Sequence, residues 1–124
     1  MAKTVLVCDD SMLMRKMVAE CLTEDGWTIV GEASDGNMAI ELYKELTPDA
    51  VTMDMVMPEF DGLHGLRGII EINPEAKVVM VSALAQTKSI SEAIRSGAQD
   101  FITKPFMPEQ LQQTIGACLD TTAS

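Results

Sequence analysis

The sequence predicts an α/β fold, a parallel five-stranded sheet covered by helices on both faces. Three observations carry this. Short apolar runs bounded by turn residues occur five times, each followed by a stretch read as a helix from apolar spacing or from cap residues. The run around Asp54 is otherwise continuously apolar, as a strand buried on both faces is, where a half-exposed sheet alternates. Short crossovers through helices bring consecutive strands together in parallel, which makes the sheet doubly wound. In such sheets the ligand site lies beyond the C-terminal ends of the strands.

The first strand is Thr4 to Cys8, with Asp9, Asp10 and Ser11 in the turn after it. Met14, Met17, Val18, Cys21 and Leu22 then share one face of a helix, and Gly26 stands where a left-handed cap belongs. Thr28 to Ala33 is a second strand, and Ser34-Asp35-Gly36 a turn. Ala39, Leu42, Tyr43 and Leu46 mark a second helix that ends before Pro48. The third strand, Ala50 to Met55, carries Asp54 within an apolar run, where a charge is costly unless it is paired or bound to a metal.

A loop from Pro58 to Gly62 leads to a helix running to Asn73, with Ile69, Ile70 and Ile72 as its apolar residues. Gly62, Gly65 and Gly68 recur in it although each interior glycine costs about 1 kcal/mol relative to alanine. The pattern lacks the spacing and setting of a phosphate loop, so close packing against the sheet is expected. Lys77 to Val81 is the fourth strand, with Ser82-Ala83 at its end. A helix over Gln86 to Ser96 follows, with Ser89 and Glu92 at capping-box spacing and Gly97 at its C-terminus. The fifth strand, Asp100 to Thr103, runs into Lys104-Pro105. Pro108 opens a last helix with Leu111, Ile115, Cys118 and Leu119 on one face, and a polar, frayed tail over 120–124 is expected.

Composition narrows the function. At 124 residues, 47% of them apolar, the chain fits one domain spanning 1–124. Nineteen acidic against nine basic residues give a formal charge of −10, which disfavours nucleic acid as a direct partner and favours cations or basic protein surfaces. No apolar run reaches the roughly 18 residues of a membrane span, and no export signal is read at the N-terminus, so a cytoplasmic location is expected. Cys8, Cys21 and Cys118 lack C-x-x-C spacing and read as small buried hydrophobes of a reducing compartment. His64, the single histidine, reads as a helix surface residue.

Reactive groups mark four strand ends: Asp9 and Asp10, Asp54, Ser82 and Lys104. Three carboxylates in one crevice repel one another, and a hard divalent cation such as Mg²⁺ relieves this. A lysine can pair with Asp54 at rest and with a phosphoryl oxygen later, and a serine hydroxyl offers that oxygen another donor. The set matches phosphoryl transfer to a carboxylate, with Asp54 as the nucleophile.

Asp9-Asp10 after a hydrophobic strand, Asp54 in D-x-x-M-P, Ser82-Ala83 and Lys104-Pro105 resemble the receiver domain of two-component response regulators, over nearly the whole chain and in order. The length is similar to the single-domain, CheY-type receivers of chemotaxis. The resemblance implies a flavodoxin-like fold with strand order 2-1-3-4-5. It implies Asp54 as phosphoacceptor, and Mg²⁺ bound by Asp10 and Asp54 directly, by Asp9 through water and by the Val56 backbone carbonyl. Lys104 and Ser82 would hold the phosphoryl group, and Phe101 would be the switch aromatic that turns inward as Ser82 moves. The implied partners are a CheA-like histidine kinase, a flagellar motor switch protein or other target, and a phosphatase. The target would dock on the fourth helix, fifth strand and fifth helix, with Ser89, Ile90, Phe101 and Gln110 as candidates.

On this reading the chain is a monomeric phosphoacceptor signalling protein and not an enzyme. Phosphohydrolases of the haloacid dehalogenase type carry D-x-D at the nucleophile, whereas Val56 stands two residues after Asp54. A phosphorelay intermediate or another single-domain receiver is the alternative. With no linker after the fifth helix, an attached DNA-binding domain is not expected. Val56 and Leu84 are expected to tune dephosphorylation, since neither side chain can orient a water behind the phosphorus.

Overall fold

The structure, a computed structural model, describes residues 3–83 and 86–120. Ten elements alternate: β1 (Lys3–Cys8), α1 (Met12–Glu24), β2 (Trp27–Ala33), α2 (Gly36–Leu46), β3 (Ala50–Met53), α3 (Gly62–Ile72), β4 (Val78–Ser82), α4 (Thr87–Arg95), β5 (Asp100–Thr103) and α5 (Pro108–Asp120). All strand pairs are parallel, and the order is β2-β1-β3-β4-β5. This is the flavodoxin-like order, with the chain doubling back at β1 and β3.

The strands divide their side chains between two cores with a period of two. Leu6, Cys8, Val51, Met53, Val78 and Met80 join Leu66, Ile69, Ala39 and Tyr43 on the side of α2, α3 and α4. Val5, Val7, Ala50, Val79, Val81 and Ile102 join Val18, Leu22, Leu111 and Ile115 on the side of α1 and α5. Both faces of the central strands β3 and β4 are covered, which is why these two are buried throughout, whereas the edge strands β2 and β5 each expose polar residues. Each fully buried Leu or Ile contributes on the order of 1.5–3 kcal/mol.

Helix ends follow local chemistry. Ser11, Asp35 and Asp61 cap α1, α2 and α3, each accepting a backbone N–H three residues on. Thus Asp35 and Gly36, read as a turn, are the cap and first residue of α2. Gly26 and Gly97 take φ of +89° and +112° just past α1 and α4, as expected of residues that end a helix in the left-handed region.

Several expectations are corrected. The third strand ends at Met53, not Met55, because the N–H of Asp54 makes the last bond to β1, at 3.0 Å from the Cys8 carbonyl. Met17 is 50% exposed, since it falls at the edge of the stripe centred on Val18, Cys21 and Leu22. In α3 Leu66 is fully buried and Ile72 is exposed. Ser89 does not cap α4: the Ile90 N–H already bonds to the Gln86 carbonyl at 3.1 Å, so the helix starts two residues before Ser89. The 120–124 tail lies outside the described residues apart from the backbone of Asp120.

The three glycines of α3 serve close approach, and only partly to the sheet. A Cβ on Gly62 would fall on the Asp54 carbonyl oxygen, and one on Gly68 would fall on Ile40 of α2. One on Gly65 would stand 2.9 Å from the Met53 side chain and 3.1 Å from the Gly36 Cα. Two of the three therefore let α3 press against α2.

Candidate functional site

Asp9, Asp54 and Lys104 are each the first residue past a strand, after Cys8, Met53 and Thr103. Their N–H groups continue the ladder, to the carbonyls of Ala33 (3.0 Å), Cys8 (3.0 Å) and Ser82 (2.9 Å). The alternation of the strands continues with them. Asp9 follows Val5 and Val7, Asp54 follows Ala50 and Thr52, and Lys104 follows Ile102, so all three emerge on the same side of the sheet.

They meet. The Lys104 ammonium is 2.6 Å from Asp9 Oδ2 and 3.1 Å from Asp54 Oδ2. Asp9 Oδ1 accepts the Ser11 N–H at 2.9 Å, and Asp54 Oδ1 accepts the Val56 N–H at 3.2 Å. Asp9 and Asp54 are buried, which strengthens their attraction for the lysine. Burial alone lowers the Lys104 pKa, but the hydrogen bonds and charges of Asp9 and Asp54 more than offset it and leave the pKa above its ordinary value. The pairing with Asp54 was expected; the shorter contact to Asp9 was not.

Asp10 is exposed, and one carboxylate oxygen each from Asp9, Asp10 and Asp54 lie within 4.8 Å of one another. Three hard oxygen donors converging from two adjacent strand ends can hold a hard divalent cation. The Cys8 thiol beside them takes no part, since burial, and then Asp9, push its pKa far up.

Ser82 is the last residue of β4, fully buried, and its carbonyl receives the Lys104 N–H. Phe101 pairs in register with Met80 and packs half-buried against the core on the α2–α4 side. The Val56 side chain is 54% exposed beside Asp54. Leu84 lies outside the described residues. His64 is exposed on α3 with its ring 4.9 Å from that of Phe60, and Cys8, Cys21 and Cys118 are buried thiols outside any disulfide among the described residues.

Two further residues support the site: Gly62, read from the sequence as a close-packing glycine but not as part of the site, and Arg15, which was not singled out. Gly62 presses on the carbonyl of Asp54, and its N–H bonds to the Met55 carbonyl at 2.9 Å, so the loop after Asp54 is folded back on the start of α3. Arg15 reaches from α1 to the Asp9 carbonyl. The signal for Gly62 was the Asp-Gly pair at a helix start; for Arg15 it was a guanidinium one turn after an acidic corner.

The response regulator receiver domain family matches residues 5–116. Chemotaxis protein CheY of Thermotoga maritima is 44% identical over 115 residues, covering 93% of this chain and 96% of that protein. CheY of Bacillus subtilis is 42% identical over 120 residues, covering 97% and 100%. Among solved structures, the CheX–CheY–BeF₃–Mg²⁺ complex of Borrelia burgdorferi includes a chain that superposes with a TM-score of 0.91 at 33% identity, over 94% of this chain and 89% of that one. The family match spans most of the chain and these relatives cover nearly all of it, so the chain belongs to the response regulator receiver domain family as a chemotaxis-type response regulator.

Proposed function

We propose that residues 1–124 act as one receiver domain that accepts a phosphoryl group on Asp54 from a CheA-like histidine kinase. The observation that carries this is the Lys104 ammonium held between Asp9 and Asp54 beside Asp10. Asp54 is the only one of the three carboxylates that follows the central strand β3, and its Oδ1 is oriented by the Val56 N–H. Its carboxylate attacks phosphorus as the P–N bond of the phosphohistidine breaks and the imidazole leaves with that electron pair.

Lys104 has two anchors. When Asp54 becomes an acyl phosphate, Asp9 still holds the ammonium, which then faces a phosphoryl oxygen. The Ser82 hydroxyl donates to another. Asp10 and Asp54 would hold Mg²⁺ directly, Asp9 would hold it through water and the Val56 carbonyl would be a further ligand; the ion would supply charge neutralisation at the phosphoryl oxygens. The chain assists its own phosphorylation and dephosphorylation and signals as a phosphoacceptor, without a turnover substrate of its own.

The shift of Ser82 toward the phosphoryl group opens space for Phe101 to turn further inward, which alters the face made by α4, β5 and α5. Ile90 is half-buried and Gln110 exposed on that face, available to a flagellar motor switch protein. A phosphatase ends the signal. The chain works as a monomer in the cytoplasm; among the described residues no helix is long and apolar enough to cross a membrane.

The experiment is binding of the chain to the motor switch protein with and without acetyl phosphate and Mg²⁺. Binding that rises on phosphorylation and is lost in Ile90→Glu supports the reading. Transfer of the phosphoryl group onward to a histidine phosphotransfer domain, with no binding to the switch protein, would assign a relay instead.

A further inference from the structure

Of the three carboxylates in the crevice, two are held by hydrogen bonds and one is not. Asp9 accepts from the Ser11 N–H and Lys104, and Asp54 from the Val56 N–H and Lys104. Asp10 is exposed, and its carboxylate has no hydrogen-bond partner among the described residues. The backbone, through the peptide plane that joins Asp10 to Asp9, sets the Cα–Cβ direction from which that side chain starts.

That plane has a side-chain anchor. The Arg15 N–H donates to the Ser11 carbonyl at 2.9 Å, in the first turn of α1. The guanidinium folds back over the same turn. Its Nη1 donates to the Asp9 carbonyl at 2.6 Å, and its Nε donates to Glu32 Oε1 on β2 at 3.1 Å. The Arg15 side chain is 16% exposed, so solvent screens its contact to the carbonyl little, whereas that of Glu32 is 48% exposed. A charge-assisted bond this short is among the stronger hydrogen bonds. The two acceptors lie on different elements, and a planar fork reaches both where the compact ammonium of lysine does not.

We propose that Arg15 is a positioning residue for the cation site: braced by Glu32, it clamps the Asp9 carbonyl and so fixes the peptide plane that aims Asp10 at the ion. This rests on the reading of Asp9, Asp10 and Asp54 as the magnesium corner. A role through charge alone predicts unchanged Mg²⁺ binding in Arg15→Lys, which keeps the cation. A role as a plain staple between α1 and β2 predicts a loss of stability with no change in affinity.

The test is the Mg²⁺ dissociation constant, measured by calorimetry without phosphodonor, for the wild type, Arg15→Lys, Glu32→Ala, their double variant and Asp10→Ala, with urea unfolding alongside. Arg15→Lys keeps the charge and loses the fork. It is expected to weaken Mg²⁺ binding about tenfold, the low end of what outer-shell substitutions do to metal sites. Glu32→Ala, at an exposed carboxylate, has a smaller effect in the same direction. The double variant is no weaker than Arg15→Lys, because both act through one arm. With acetyl phosphate, the Mg²⁺ needed for half-maximal rate rises while the rate at saturating Mg²⁺ stays within about twofold of wild type. Wild-type or tighter Mg²⁺ binding by Arg15→Lys, with Asp10→Ala weakened, overturns the positioning role and leaves the corner standing. If Asp10→Ala itself binds Mg²⁺ like the wild type, the corner is misassigned and the positioning role falls with it.

Discussion

The Lys104 ammonium lies closer to Asp9 than to Asp54, at 2.6 Å against 3.1 Å. Its pKa, raised above the ordinary 10.5, links stability to pH. A raised folded-state pKa means the lysine's stabilising contacts are complete below the unfolded value and are lost as pH climbs through the folded one. The stability gap between wild type and Lys104→Met, from urea unfolding, should therefore be flat from neutral pH to about 10 and shrink above about 10.5. A gap still unchanged at about pH 12 would show that the ion pairs do not stabilise the fold.

Gly62 and Gly116 make a paired test of backbone approach. A Cβ on Gly62 meets the Asp54 carbonyl, whereas one on Gly116 of α5 meets nothing within 4 Å. Gly62→Ala should destabilise by roughly 1–3 kcal/mol, the usual range for overpacking, and slow phosphorylation by moving Asp54. Gly116→Ala should stabilise by about 0.5–1 kcal/mol through helix propensity and leave phosphorylation unchanged. Equal effects of the two substitutions would mean the close approach at Gly62 is not real.

Mg²⁺ should raise the melting temperature of the wild type, because the ion binds the folded corner and not the unfolded chain. Asp10→Ala should lose most of that response while its metal-free stability changes little, Asp10 being exposed and without a hydrogen-bond partner among the described residues. A melt that ignores millimolar Mg²⁺ would count against the corner.

Much of this was legible in the sequence, for identifiable reasons. Apolar runs, helical spacing and turn and cap residues together located all five strands and five helices, because the sheet is buried between helices and its central runs are apolar. Asp9, Asp10, Asp54 and Lys104 stood out because charge at a strand end has few structural uses. What was not legible depends on relations across the sheet. Nothing local says that Lys104 reaches past Asp54 to Asp9, or that Arg15 bends back to a carbonyl six residues earlier. Gly65 and Gly68 were read as facing the sheet because spacing shows that a helix packs closely, not against which neighbour. Ser89 and Glu92 matched a cap by spacing although the helix had already begun, since a two-residue signature cannot tell a first turn from a second.

Val56 bears on the lifetime of the phosphorylated state. Its side chain stands exposed beside Asp54 and cannot orient a water. Val56→Asn should speed loss of the phosphoryl group, toward the roughly 10²-fold lower end of what positioned polar groups supply. An unchanged decay rate, followed by release of inorganic phosphate, would place the control of lifetime elsewhere.

The most direct test is intact-protein mass spectrometry after incubation with acetyl phosphate and Mg²⁺, on wild type and Asp54→Asn. The wild type should gain a single phosphoryl group that hydroxylamine removes, as it removes acyl phosphates, with the label mapped to Asp54. Asp54→Asn should gain none, because its amide is not a nucleophile. Stoichiometric, hydroxylamine-resistant labelling of Asp54→Asn would contradict the assignment of Asp54 as the phosphoacceptor.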